Sequence, residues 1–185
     1  MRMLKGPLGK KEAPTKPYVE AGFRLTYKLV DSLSLEGWAG TISSYTEKEA
    51  KAVKQSRAGV QKEFGDVRLH PEAGGLIAGR YRSQAATALR DLAGEGWAFT
   101  RKEALPPDWR QRVSTYLKSW AVDLSPFSMH GIAELLILAG YKSEAKEAWQ
   151  VFLLYPPGAR TIPGLASGPR PRLFESTKEN LRKLG

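Results

Sequence analysis

Trp109-Arg-Gln-Arg-Val-Ser-Thr-Tyr-Leu-Lys-Ser-Trp120 is the stretch on which the fold turns. Trp109, Val113, Tyr116 and Trp120 recur at i, i+4, i+7 and i+11, which puts four large apolar side chains on one stripe of a helix. Pro107 is the expected first position of this helix, where a missing N–H leaves nothing unpaired. So wide an aromatic stripe needs other helices to cover it.

Working outward, the pattern stays helical. Ser125-Pro126 opens a further helix that Gly140 closes, and another starts at Ser143 and stops before Pro156-Pro157. Upstream, Ser83 is the expected cap of a helix through Ala85, Ala88, Leu89 and Leu92, ended by Gly94. Thr46 with Glu49 three residues on is a capping box, predicting a helix to Phe64 before Gly65. A short terminal helix is expected over Ser176 to Leu184. Only Phe23, Leu25, Tyr27 and Leu29 alternate with polar residues, as in a half-buried strand or an extended arm. The predicted fold class is therefore mainly α. It is a compact bundle of about five helices with one short N-terminal strand or extended arm and irregular basic tails. The expected core comprises Trp109, Val113, Tyr116, Trp120, Leu135, Leu136, Trp149 and Phe152.

Charge divides the chain into three parts. Of 185 residues, 29 are Lys or Arg and 19 are Asp or Glu, for a net charge of +10. Residues 1–22 hold five basic and two acidic side chains, and residues 159–185 hold six and two. Both ends are also broken by Gly and Pro: Gly6-Pro7, Pro14 and Pro17 in front, Pro163-Gly164 and Gly168-Pro169 behind. The expected organisation is a basic extended tail over 1–22, a helical domain over 23–157, and a basic Pro/Gly-rich tail with a short helix over 158–185. Tails with so little apolar surface do not offset roughly 1–2 kcal/mol of backbone ordering per residue, so a partner is expected to order them.

Composition excludes several chemistries. There is no cysteine, so disulfides, thiolate catalysis and sulfur-ligated zinc are out, and a reducing compartment is implied. With only His70 and His130, a multi-histidine metal centre is out as well. The longest apolar run, Gly131 to Gly140, contains Glu134 and is too short to span a bilayer, so no transmembrane segment is expected. The first residues lack the apolar region of a secretory signal. The expected setting is intracellular, with a mitochondrial or other organellar interior ahead of a bacterial or viral cytoplasm.

No set of residues completes a catalytic motif. Gly74-Gly-Leu-Ile-Ala-Gly79 has the glycine spacing of a phosphate-binding loop, but Arg80-Tyr81 stands where lysine and a hydroxyl residue are required. The stretch reads instead as a flexible turn presenting Arg80 and Arg82 to an anion. Glu47, Glu49, Glu144 and Glu147 lie among lysines and read as solvent-facing ion pairs. Lys48, Lys51, Lys54, Arg57 and Lys62 form a broad arc on the helix after Thr46 and read as a solvated face. No Gly-x-Ser-x-Gly occurs. The expectation is no enzyme, no cofactor and no metal.

Partner binding is the remaining role. Trp38 and Trp97 each follow Glu-Gly in expected loops and suit interface anchors. With Lys10, Lys11, Lys51, Arg80, Arg82, Arg170 and Arg172 they are the candidate partner-binding residues. The expected partners are other protein subunits of a large complex, with RNA as the alternative.

One segment carries a resemblance. Ile132 and Leu136, the turn Ala139-Gly140, then Glu144-Ala145, Trp149, Phe152 and Pro157 make residues 128–157 resemble one unit of a tetratricopeptide or pentatricopeptide-type helical hairpin. Only about 30 residues are covered, and no second unit follows in phase. An ordinary antiparallel helix pair is the other reading. What the resemblance implies is a protein-binding scaffold.

Overall fold

A computed structural model of the chain describes residues 45–65, 74–95, 104–155, 157 and 169–185. Among the described residues the structure is helical: α1 Glu47–Phe64, α2 Gly74–Ala93, α3 Trp109–Asp123, α4 Pro126–Leu138, α5 Lys142–Leu153 and α6 Pro171–Leu184. Each helix packs on its neighbour in sequence, from α1 on α2 through to α5 on α6. The extended segment expected over residues 23–30 lies outside the described residues.

The aromatic stripe organises the centre. Val113, Tyr116 and Trp120 are buried, and Trp109 at the start of α3 is half-buried, its ring 5.7 Å from that of Tyr141. α4 is apolar around most of its circumference and buries Met129, Ile132, Ala133, Leu135 and Leu136, as befits a helix covered on several sides. α5 contributes Ala145, Ala148, Trp149, Val151 and Phe152 from one face. Leu173, Phe174, Leu181 and Leu184 of α6 pack on the same cluster. The core thus lies in α3–α5, and all eight expected core residues belong to it or pack against it.

Local signals account for the boundaries. Thr46 and Glu49 make the reciprocal capping box, and Gly65 ends α1 at φ 70°. Ser125 caps α4, with Pro126 following. At the far end Gly140 adopts φ 87°, and the Tyr141 N–H donates to the Leu136 carbonyl (2.8 Å) while the Gly140 N–H donates to that of Ile137 (3.1 Å). This is a Schellman closure, which needs a left-handed residue and here finds glycine. Between α3 and α4 the left-handed residue is Leu124 (φ 56°), whose side chain is buried. Its carbonyl accepts a hydrogen bond from the buried Tyr155 hydroxyl, which ties the turn to the end of α5.

Three helix starts differ from the sequence reading: α3 begins at Trp109, after its N-cap Asp108, so Pro107 lies in the preceding turn. α2 starts at Gly74, so Gly74–Gly79 is helical and not a flexible turn, and Ser83 lies inside the helix and caps nothing. Glycine costs a helix interior roughly 0.5–1 kcal/mol each, but tertiary packing overrides so small a preference. α2 is held between α1 and α3 through Ala85, Ala86, Leu89 and Ala93. α6 likewise begins at Pro171, five residues before Ser176, because proline at the first helical position starts a helix as well as a polar cap does.

Candidate functional site

The α1–α2 end is bound to α3 by two buried ion pairs as well as by apolar packing. Glu49 is 1% exposed, and the Lys118 ammonium donates to its Oε2 at 2.6 Å. Thr115 (2.6 Å) and Gln111 (3.3 Å) donate to Oε1, and the Thr46 N–H donates to Oε2 (2.8 Å). Burial raises the carboxyl's pKa, but the hydrogen bonds from Lys118, Thr115 and Thr46 outweigh it and hold the pKa below its ordinary value. Glu49 is therefore not the solvent-facing residue expected from its lysine neighbours: the capping position N3 points at α3. A second bridge joins α2 to α3. The Arg90 guanidinium donates to both oxygens of buried Asp123 at 3.0 and 2.9 Å and to the Ser119 hydroxyl at 3.2 Å. The Ser119 hydroxyl in turn donates to the Ala86 carbonyl. Arg112 of α3 adds Nη1 to the carbonyls of Ala93 and Glu95, covering the end of α2.

Outside these bridges α1, α2 and α3 line a cleft of about 570 Å³, within the range of roughly 300–1,000 Å³ typical of ligand sites. Val53, Arg57 and Gln61, at i, i+4 and i+8, line it from α1, and Tyr45 lines it from just before that helix. Ala78, Tyr81, Arg82 and Ala85 line it from α2, and Val122 lines it from α3. Val53, Ala78, Ala85 and Val122 give the lining its aliphatic part, and Arg57 of α1 and Arg82 of α2 give it two cations, one from each helix. Burial, and then the Glu49 carboxylate, raise the Tyr45 hydroxyl's pKa, with Arg57 opposing them. Among the described residues no carboxylate pairs with Arg57 or Arg82.

The expected partner-binding residues divide accordingly. Arg82 lies in the cleft. Arg80 is exposed next to it and meets Glu63 of α1 at 3.4 Å, a weak contact across the two helices. Lys51 is exposed on α1, as are Lys48, Lys54, Arg57 and Lys62, so that arc is a solvated face. Arg170 and Arg172 are exposed at the start of α6, which packs on α5 and contributes nothing to the cleft. Lys10, Lys11, Trp38 and Trp97 lie outside the described residues. Sequence reasoning placed Arg57 only in the lysine arc and missed that it lines the cleft together with Arg82. The spacing of Val53, Arg57 and Gln61 was the available signal, but nothing local says that α2 brings a second arginine to the same cleft.

On α4, His130 and Glu134 approach to 3.9 Å, and the His130 ring meets that of Phe152 edge-on. Burial lowers the imidazole pKa to about 4 and raises the carboxyl pKa to about 7. With the imidazole neutral at pH 7, this approach is not an ion pair. Among the described residues no three His, Asp or Glu side chains gather as a metal site would need, and no helix is long and apolar enough to cross a membrane. No protein-family model, no curated protein and no solved structure matches this chain.

Proposed function

We propose that this chain is a non-catalytic accessory subunit of a larger multi-subunit assembly, binding its neighbours through the helical body and through basic end segments. One contrast carries the reading. The buried ionised groups Glu49, Lys118 and Asp123 are committed to bridges between helices, whereas the cations Lys51, Arg57 and Arg82 are presented outward without a carboxylate partner among the described residues. Internal charge holds the helices together, and surface charge is available to a partner. The serial packing of helix on helix suits a scaffold of this kind, and the resemblance of residues 128–157 to one tetratricopeptide or pentatricopeptide-type unit points the same way. A mitochondrial or other organellar interior is the proposed setting.

RNA binding is the second reading, favoured by the exposed arc Lys48, Lys51, Lys54 and Lys62. Purification of the tagged chain from its native cells, with and without nuclease, separates the two. Stoichiometric protein partners that survive nuclease are expected. Loss of every partner on nuclease treatment would favour the RNA-binding reading.

A further inference from the structure

We infer that the cleft between α1 and α2 is a docking site for an extended acidic segment of a neighbouring protein, with an apolar side chain against its aliphatic lining and a carboxylate at each arginine. The inference rests on the subunit reading and names the chemistry of one contact within it.

Two observations point to this occupant. The cleft's cations, Arg57 and Arg82, have no carboxylate partner among the described residues, whereas Arg80 beside them meets Glu63 and Arg90 further along α2 is bound by Asp123. The planar guanidinium of an arginine without such a partner is suited to a carboxylate held in two-point geometry. The aliphatic part of the lining, from Val53, Ala78, Ala85 and Val122, gains from covering by an apolar side chain. Tyr45 and Tyr81 also line the cleft, but a nucleic-acid strand needs a run of cations along its phosphates. Here two cations accompany aliphatic carbon, and the lysines of α1 (Lys48, Lys51, Lys54) do not line the cleft. Gln61 and the hydroxyls of Tyr45 and Tyr81 supply polar groups for the backbone of an extended chain.

The test is fluorescence anisotropy of the full chain with a short labelled peptide in which one leucine is flanked on both sides by aspartate and glutamate. Saturable binding is expected, weakened about tenfold by either Arg57→Ala or Arg82→Ala, in keeping with loss of one charge-assisted contact. Ala78→Trp, at an exposed position lining the cleft, is expected to block binding by filling it, and Lys51→Ala is expected to leave binding unchanged. A peptide with asparagine and glutamine in place of the acids should bind the unaltered chain as weakly as the acidic peptide binds a chain carrying both Arg57→Ala and Arg82→Ala. Circular dichroism melts of each variant separate loss of contact from loss of fold. Absence of binding, binding indifferent to Arg57 and Arg82, or tighter binding of oligouridine through the same arginines would each overturn the inference. If both arginine variants still join the native assembly as the unaltered chain does, the cleft is not the contact, while the subunit reading stands.

Discussion

Glu49 shows how one residue can serve two levels of structure. It closes the capping box with Thr46 and also receives Lys118 from α3, 69 residues away. Its partner in sequence was legible, because a capping box is a local pattern. Its partner in space was not, because nothing near Thr46 records which face of α1 meets α3. Removing one half of a buried pair leaves an uncompensated charge, so Glu49→Ala or Lys118→Ala is expected to cost about 3–5 kcal/mol in urea unfolding. The pair Glu49→Leu with Lys118→Met should cost less than either, since neither charge is then left behind. The depressed pKa of Glu49 makes its contribution present above the unfolded carboxyl value and lost as pH falls through the folded one. On α4 the two titrating groups act oppositely. Glu134 rises from 4.5 to about 7 on folding, so its favourable contribution is complete below pH 4.5 and is lost as pH rises through 7. His130 falls from 6.5 to about 4, so its contribution is present above pH 6.5 and is lost as pH falls through 4. Glu134→Gln is accordingly expected to raise stability by about 1–3 kcal/mol at pH 8 and to change little at pH 4. Urea titrations at the two pH values read the difference.

Helices and their junctions were the most legible level. Thr46-x-x-Glu49, Ser125-Pro126 and Gly140 each encode their end of a helix through one or two hydrogen bonds, and each is used. The start of α2 was not legible, because three glycines and a chance resemblance to a phosphate loop argue against helix while packing on α1 and α3 decides for it. Glycines in this chain have opposite uses, and substitution distinguishes them. A Cβ at Gly131 would stand 2.5 Å from Cζ of the Tyr116 ring, so this glycine lets α4 approach α3. Gly131→Ala is expected to lose about 1–3 kcal/mol through overpacking. Gly59 on the exposed side of α1 has nothing within 4 Å of such a Cβ, so Gly59→Ala is expected to gain about 0.5–1 kcal/mol. Thermal melts of the two variants should therefore move in opposite directions.

At the scale of the molecule, an apolar body of α3–α5 carries at one end a pair of helices tied on by Glu49–Lys118 and Arg90–Asp123 together with buried Val60, Ala85, Ala86 and Leu89. The charge asymmetry behind the partner proposal was visible from composition, but the placing of Arg57 and Arg82 in one cleft required the packing of α1 on α2. The central claim is that proteins, and not nucleic acid, are what the outward cations meet. The slope of log K against log salt tests it most directly, measured for the full chain with the protein partner recovered from the native assembly. A contact built on two arginines and an aliphatic lining predicts a shallow slope, about −1 to −2, because few ions are released. Engagement of six or more phosphates by the lysine arc and the basic ends would give about −4 or steeper, as expected for single strands at roughly −0.7 per phosphate. A shallow slope that shrinks further in Arg57→Ala is the predicted result, and a steep one restored by adding RNA to the nuclease-treated sample would contradict it.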